Sequence, residues 1–338
     1  MAWQGTTILA RIGRSLGLRR RWAGAAAVAR ARGVAARKAS SEQGLAARAY
    51  ARALARLPEA DRFALVKLVI DLDHEGTGVV HRALASGAPA SAVIALARSW
   101  RKLTPVERAI AVHPIPIPVE GPVTLAGTHA RQIDSTTCGA ASMAMMLMVG
   151  DPFVGLWLAS GTTYARYLPP EVERIRHRGA LRNVEARWGA LQRSIHAETV
   201  RRGLLMILPW PRRLGTPPWR VNNHTRFVGL RFQGAIVDDT DDADIDALIA
   251  HASAALSDGI PVPLYASGDS DKGLDAVIPR HVVLLTHRFP GGFFAYEPSS
   301  GQLHELSDVR IREGGVALAA LGNWTHVSWM VLPVARQR

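Results

Sequence analysis

The chain has 338 residues, 48% of them apolar, which is enough for one large or two modest domains that bury a real core. A single cysteine excludes any internal disulfide framework and fits a reducing compartment. The net charge is +13, of which residues 1–41 carry +9 with no Asp or Glu, so the basic balance describes the first segment and leaves +4 for the rest.

That first segment reads as a solvated basic arm. Its functional alternative is contact with an anionic surface, either nucleic acid or lipid. Arg19, Arg20 and Arg21 precede an apolar stretch over 22–29, but the stretch is short, mostly Ala, and broken by Arg30. It lacks the hydrophobicity of a secretory signal, and a cytoplasmic location is expected, with export or membrane association as the alternative.

Residues 42–112 are expected to form a small helical accessory region, either a bundle of its own or an arm packed on the C-terminal body. Leu45, Tyr50, Leu54 and Leu57 recur at helical spacing, and Phe63, Val66, Leu68, Val69 and Ile70 form a second run that begins at Pro58-Glu59 and is expected to end near Gly76. A third helix covers 92–100. Thr104-Pro105-Val106-Glu107 opens a fourth, with Thr104 as cap, Pro105 at the first position and Glu107 closing a capping box. Residues 113–123 hold Pro114, Pro116, Pro118 and Pro122, a pattern that forbids helix and central strand and marks a linker.

From 124 to 338 the pattern is mixed. Residues 139–149 are apolar on every face, so a helix there must be buried all round. The apolar run over 139–161 contains only one charge, Asp151, but Asp151-Pro152 sits in its middle. An Asp at a bilayer centre costs about 2.5–3.5 kcal/mol and Pro breaks the helix, so the run predicts a buried helix, a turn and a second segment. Residues 170–196 read as polar helix, and 204–208 and 225–232 as strands, with a Pro- and Arg-rich loop between them that holds Trp210 and Trp219. Six Asp over 238–246 lead into a helix. They lack the glycine and distal Glu of a calcium loop and read as an acidic helix N-terminus. Residues 260–265, 281–287 and 293–296 read as strands, with Gly291-Gly292 as a turn.

The strongest chemical signal is Gln132-Ile133-Asp134-Ser135-Thr136-Thr137-Cys138-Gly139-Ala140-Ala141, a polar loop that delivers a cysteine to the start of a buried helix. Helix N-terminal N–H groups and the dipole favour a thiolate there. His281 begins the apolar strand Val282-Val283-Leu284-Leu285 and is placed to act as a base beside the thiolate. Glu297 ends the next strand and can reach the far imidazole nitrogen. Gln132 can donate, with the Cys138 backbone N–H, to a developing oxyanion. Each also has a bland reading: a small buried thiol, a satisfied core histidine, and a carboxylate that caps a turn.

In this order the residues resemble the papain-like cysteine peptidases, above all the bacterial branch related to double-glycine leader peptidases of bacteriocin export. Gln132, Cys138-Gly139-Ala140, Gly259-Ile260-Pro261-Val262, His281-Val282-Val283-Leu284 and Glu297-Pro298-Ser299-Ser300-Gly301 carry the resemblance, which covers roughly 124–335. Two departures stand out. Glu297 replaces the usual Asp or Asn, and Ser299-Ser300 lengthens the turn by one. The segment 151–220 is also long and Arg-rich, so the family's substrates do not carry over.

The resemblance implies an α+β papain-like fold, with a buried N-terminal catalytic helix packed on an antiparallel sheet. It further implies a hydrolase that cleaves peptide or amide bonds with a Cys138–His281–Glu297 triad and Gln132 as oxyanion donor. No cofactor and no metal are expected, since the histidines are scattered and no His-Glu-x-x-His helix occurs. The expected partner is a peptide or protein substrate. The alternatives are acyl transfer by the same triad, a non-catalytic fold of this type that binds peptides or proteins, and an adaptor role centred on the basic arm.

Overall fold

The computed structural model describes residues 45–116, 118–175, 181–201, 211, 215–224, 226–227, 230–238, 241–268 and 281–335. The basic arm, the strand expected over 204–208 and Trp210 lie outside these residues.

The described residues begin with five helices: α1 (Leu45–Leu54), α2 (Glu59–Ile70), α3 (His74–Ala85), α4 (Ala90–Ser99) and α5 (Pro105–Val112). The capping box at α5 is present, with the Glu107 N–H donating to Thr104 Oγ1 at 3.2 Å and the Thr104 N–H donating to the Glu107 carboxylate at 2.9 Å. The boundary expected near Gly76 is corrected. α2 stops at Ile70, and Asp73 starts α3 by accepting the Gly76 N–H at 2.7 Å. Gly76 lies inside that helix because a Cβ there would stand 2.5 Å from Nε1 of Trp100, and Trp100 in turn donates to Asp73 at 2.9 Å.

Leu65, Val79, Val80, Leu96 and Trp100 form the core of this region, and Phe153, Leu156 and Tyr164 from further along the chain complete it. Arg82 donates to the carbonyls of Ala111, Val112 and Val149. The helices are therefore an arm packed on the body rather than a free bundle. The Pro-rich segment is tied down as well. Ile115 is buried in the main core, and Gly121–Pro122 (β1) pairs with a strand at the sheet edge, where a missing proline N–H is tolerated.

The body is mixed α+β. A short hairpin of β2 (Thr124–Leu125) and β3 (Thr128–His129) precedes α6 (Cys138–Gly150), α7 (Pro152–Ser160), α8 (Pro170–Glu173) and α9 (Val184–Arg201). Then come β4 (Leu230–Ile236), α10 (Asp242–Ser257), β5 (Val262–Ser267), β6 (His281–Phe289), β7 (Gly292–Glu297), β8 (Gln302–Ser307), α11 (Asp308–Glu313) and β9 (His326–Ala335). Seven strands form one sheet in the order β1-β8-β7-β6-β5-β9-β4, and every neighbouring pair is antiparallel. β8 and β9 come in addition to the strands expected from the sequence. The polar helix expected over 170–196 is two helices, α8 and α9, and the strand expected over 225–232 starts at Leu230 and runs on to Ile236.

α6 is buried on every side, with Met143, Met145, Met146, Leu147 and Met148 at 1% exposure or less. Burying each such side chain stabilises the fold by about 1.5–3 kcal/mol, which is why a helix without a polar face is stable here. Asp151 then caps α7 by accepting the Phe153 N–H at 3.0 Å, and the two helices meet at 111°. Among the described residues no single helix is long and apolar enough to cross a membrane. At α10, Asp241 is the cap, and Asp242 and Asp244 occupy the first turn, where carboxylates meet the positive end of the helix.

Candidate active site

Cys138 is the first residue of α6, delivered there by a turn built on Asp134. The Asp134 carboxylate accepts the backbone N–H and the hydroxyl of Thr136 at 2.8 and 2.7 Å, and its carbonyl accepts the Thr137 hydroxyl at 3.1 Å. Gly139 is needed next, because a Cβ there would come within 2.6 Å of the Thr216 side chain. One turn into the helix, the buried Ser142 hydroxyl donates to the carbonyl of Val282 at 3.2 Å. That bond ties the helix of Cys138 to the strand whose first residue is His281.

His281 and Glu297 meet across adjacent strands. His281 Nε2 lies 2.7 Å from Glu297 Oε1, and the two side chains are 8% and 3% exposed. At that separation the imidazole and the carboxylate form a close buried charge pair. The imidazole also makes a side-chain contact with Cys138. With Nε2 facing Glu297, Nδ1 is the nitrogen left for the sulfur.

Burial alone would lower the His281 pKa. The contacts with Cys138 and Glu297 override it and raise the ring to about 9. Burial would likewise raise Glu297, but the pairing with His281 and the hydrogen bonds from Ser300 and Ser299 bring it down to about 2. Both groups therefore carry charge at neutral pH.

Glu297 and the Ser299-Ser300 turn meet in one arrangement. The longer side chain folds back over its own turn, where Oε1 accepts the Ser299 N–H and Oε2 the Ser300 N–H, each at 2.7 Å. The Ser299 and Ser300 backbone N–H groups thus hold the carboxylate that faces His281.

Gln132 is joined to the same turn. Its N–H donates to the Pro298 carbonyl at 2.8 Å, and its Oε1 accepts from the Ser299 hydroxyl at 3.3 Å, which leaves its amide N–H groups as donors. The loop before it hangs on α9. Trp188 Nε1 and Gln192 Nε2 donate to the Arg131 carbonyl at 2.8 and 3.1 Å, and Gln192 Oε1 accepts the Ile133 N–H at 3.1 Å. Cys138, His281 and Glu297 are thus in contact in series, and Gln132 is tied to the Glu297 turn. Ser142, Trp188 and Gln192 carry no motif, and sequence reasoning missed them. The one signal was polar residues on otherwise apolar or buried helix faces.

A cavity of about 320 Å³ opens beside the carboxylate, lined by Arg131, Glu297, Ser299, Ser300, His304 and Asn323 among others. A larger one of about 380 Å³ lies where the helical arm meets the body, bordered by Arg82, His113, Arg226 and His287, and neither cavity is lined by Cys138 or His281. Among the described residues no group of three or more His, Cys, Asp or Glu is arranged to hold a metal ion.

Comparison with family models, with curated proteins and with solved structures found no match for this chain.

Proposed function

We propose that the body of this chain is a papain-like cysteine hydrolase acting on peptide or amide bonds. The observation that carries this reading is the linear contact of three buried groups: a helix-N-terminal cysteine, an imidazole and a carboxylate 2.7 Å beyond it. The likeness of Gln132, Cys138-Gly139-Ala140 and the His281 strand to the bacterial leader-peptidase branch supports the papain-like assignment.

In the proposed reaction the Cys138 sulfur attacks the scissile carbonyl carbon. The resulting oxyanion is met by the Cys138 backbone N–H and the Gln132 amide. The imidazolium of His281 gives its Nδ1 proton to the leaving amine, and the C–N bond breaks to leave a thioester. Neutral His281 then takes a proton from water as the water oxygen attacks the thioester, which releases the acid and regenerates the thiolate–imidazolium pair. Glu297 holds the ring and offsets its positive charge throughout. An amine in place of water would turn the same steps into acyl transfer.

A second reading rests on burial. Cys138 is 1% exposed and His281 6%, which favours a protein of this fold that binds peptides or partners without turnover. A peptide probe with a thiol-directed electrophile separates the two. Catalysis requires covalent labelling that maps to Cys138 and disappears in Cys138→Ala. An unlabelled, folded wild-type protein supports the binding reading.

A further inference from the structure

We propose that Gly322 is a positioning residue for His281, and that the turn from Leu318 to Trp324 sets the ring's place against Glu297. The functional meaning of this rests on the catalytic reading above. The geometry does not.

The turn is closed on itself. The Leu318 N–H donates to the Trp324 carbonyl at 3.2 Å, the Asn323 N–H to the Leu318 carbonyl at 2.9 Å, and the Gly322 N–H to the Ala319 carbonyl at 3.0 Å. Ala320 and Leu321 anchor it in the core at 3% and 1% exposure, so its backbone has little room to retreat. Gly322 itself is left-handed, with φ of 64° and ψ of 36°.

What matters is the direction in which a side chain would point. A Cβ on Gly322 would stand 2.5 Å from His281 Nε2, 2.7 Å from Cδ2 and 3.1 Å from Cε1, and those are its three nearest atoms. The turn therefore rests directly on the ring edge that carries Nε2, the nitrogen facing Glu297. Glycine serves here both for its backbone conformation and for clearance, and any side chain must push the imidazole off Glu297 or into Cys138.

The test must separate clearance from backbone strain. Gly315 provides the control, with a φ of +73° and open space where its Cβ would go. Full-length wild type, Gly322→Ala and Gly315→Ala are compared by NMR titration of the His281 imidazole, which needs no substrate. Gly322→Asn is added because Asn accepts left-handed backbone yet still carries a Cβ. Both Gly322 variants are expected to lower the His281 midpoint from about 9, by about one pH unit or more as the carboxylate contact loosens. Gly315→Ala is expected to leave it in place. If hydrolysis is observed, the Gly322 variants should lose kcat with KM little changed. A folded Gly322→Asn with the wild-type midpoint overturns the proposal, and so does an equal shift in Gly315→Ala. Absence of hydrolysis in the wild type would count against the catalytic reading while leaving this titration decisive for the positioning role.

Discussion

The hydroxyl of Ser142 donates to the carbonyl of Val282 at 3.2 Å, and this bond fixes the helix that begins at Cys138 against the strand that begins at His281. The bonded residues are 140 positions apart in the chain, so the separation of Cys138 and His281 depends on such cross-links rather than on local geometry. Ser142→Ala removes the bond without adding bulk. It is expected to cost about 0.5–1.5 kcal/mol of stability in denaturant melts. It should also lower kcat/KM by about tenfold, less than the ~10²-fold that a 1 Å misplacement brings.

Gln132 gives the clearest split between binding and chemistry. Its Oε1 is engaged by Ser299, so the amide N–H groups are the part offered to an oxyanion. Gln132→Ala is expected to lower kcat by on the order of 10²–10³ with little change in KM. A change confined to KM in steady-state kinetics would make Gln132 a substrate-binding residue instead.

Glu297 separates charge from shape. Glu297→Gln keeps an acceptor near Nε2 and removes the negative charge, and a modest loss in kcat/KM is expected. Glu297→Ala should cost more, because the ring then loses its partner and the turn loses the acceptor for the Ser299 and Ser300 N–H groups. Two variants with wild-type kinetics would reduce the catalytic unit to Cys138 and His281.

The pH dependence has two limbs of known sign. His281 is raised to about 9 in the folded protein, so its contribution to stability is complete below its ordinary value near 6.5 and is lost as pH rises through about 9. Glu297 is lowered to about 2, so its contribution is present above its ordinary value of 4.5 and is lost as pH falls towards 2. Melting temperature should therefore fall on both sides of a neutral plateau, and kcat should fall above about pH 9 as the imidazolium loses its proton. In Glu297→Gln the acid limb should flatten and the basic limb should begin at lower pH. Melting curves for the two proteins, from about pH 3 to about pH 10, read both changes.

The parts of the molecule legible in the sequence are those governed by local rules. α6 was legible because no face of it is polar, and the capping box of α5 because Thr104, Pro105 and Glu107 satisfy one another within a single turn. His281 and Glu297 were legible as a pair because one opens a strand and the other closes the next. α3 was missed because Gly76 read as the end of the preceding run, whereas Gly76 is demanded by the approach of Trp100, a tertiary fact. β9 was missed for a related reason. It carries Pro333 and polar residues, and it becomes a central strand only through its pairings with β4 and β5, which lie far away in the chain. The bonds that Ser142 and Gln192 make have the same character. Their partners are set by the assembled fold, and nothing near them in sequence announces the role.

The most direct test of the account uses the fact that Cys138 is the only cysteine, so intact mass reports its alkylation without ambiguity. The measurement is the rate of carboxamidomethylation by iodoacetamide near neutral pH in the wild type and in His281→Ala, with folding of both checked by circular dichroism. A thiolate maintained by His281 should react at least about tenfold faster in the wild type than in the variant. Equal rates in two folded proteins would contradict it, because Cys138 would then be a buried structural thiol with no working partner.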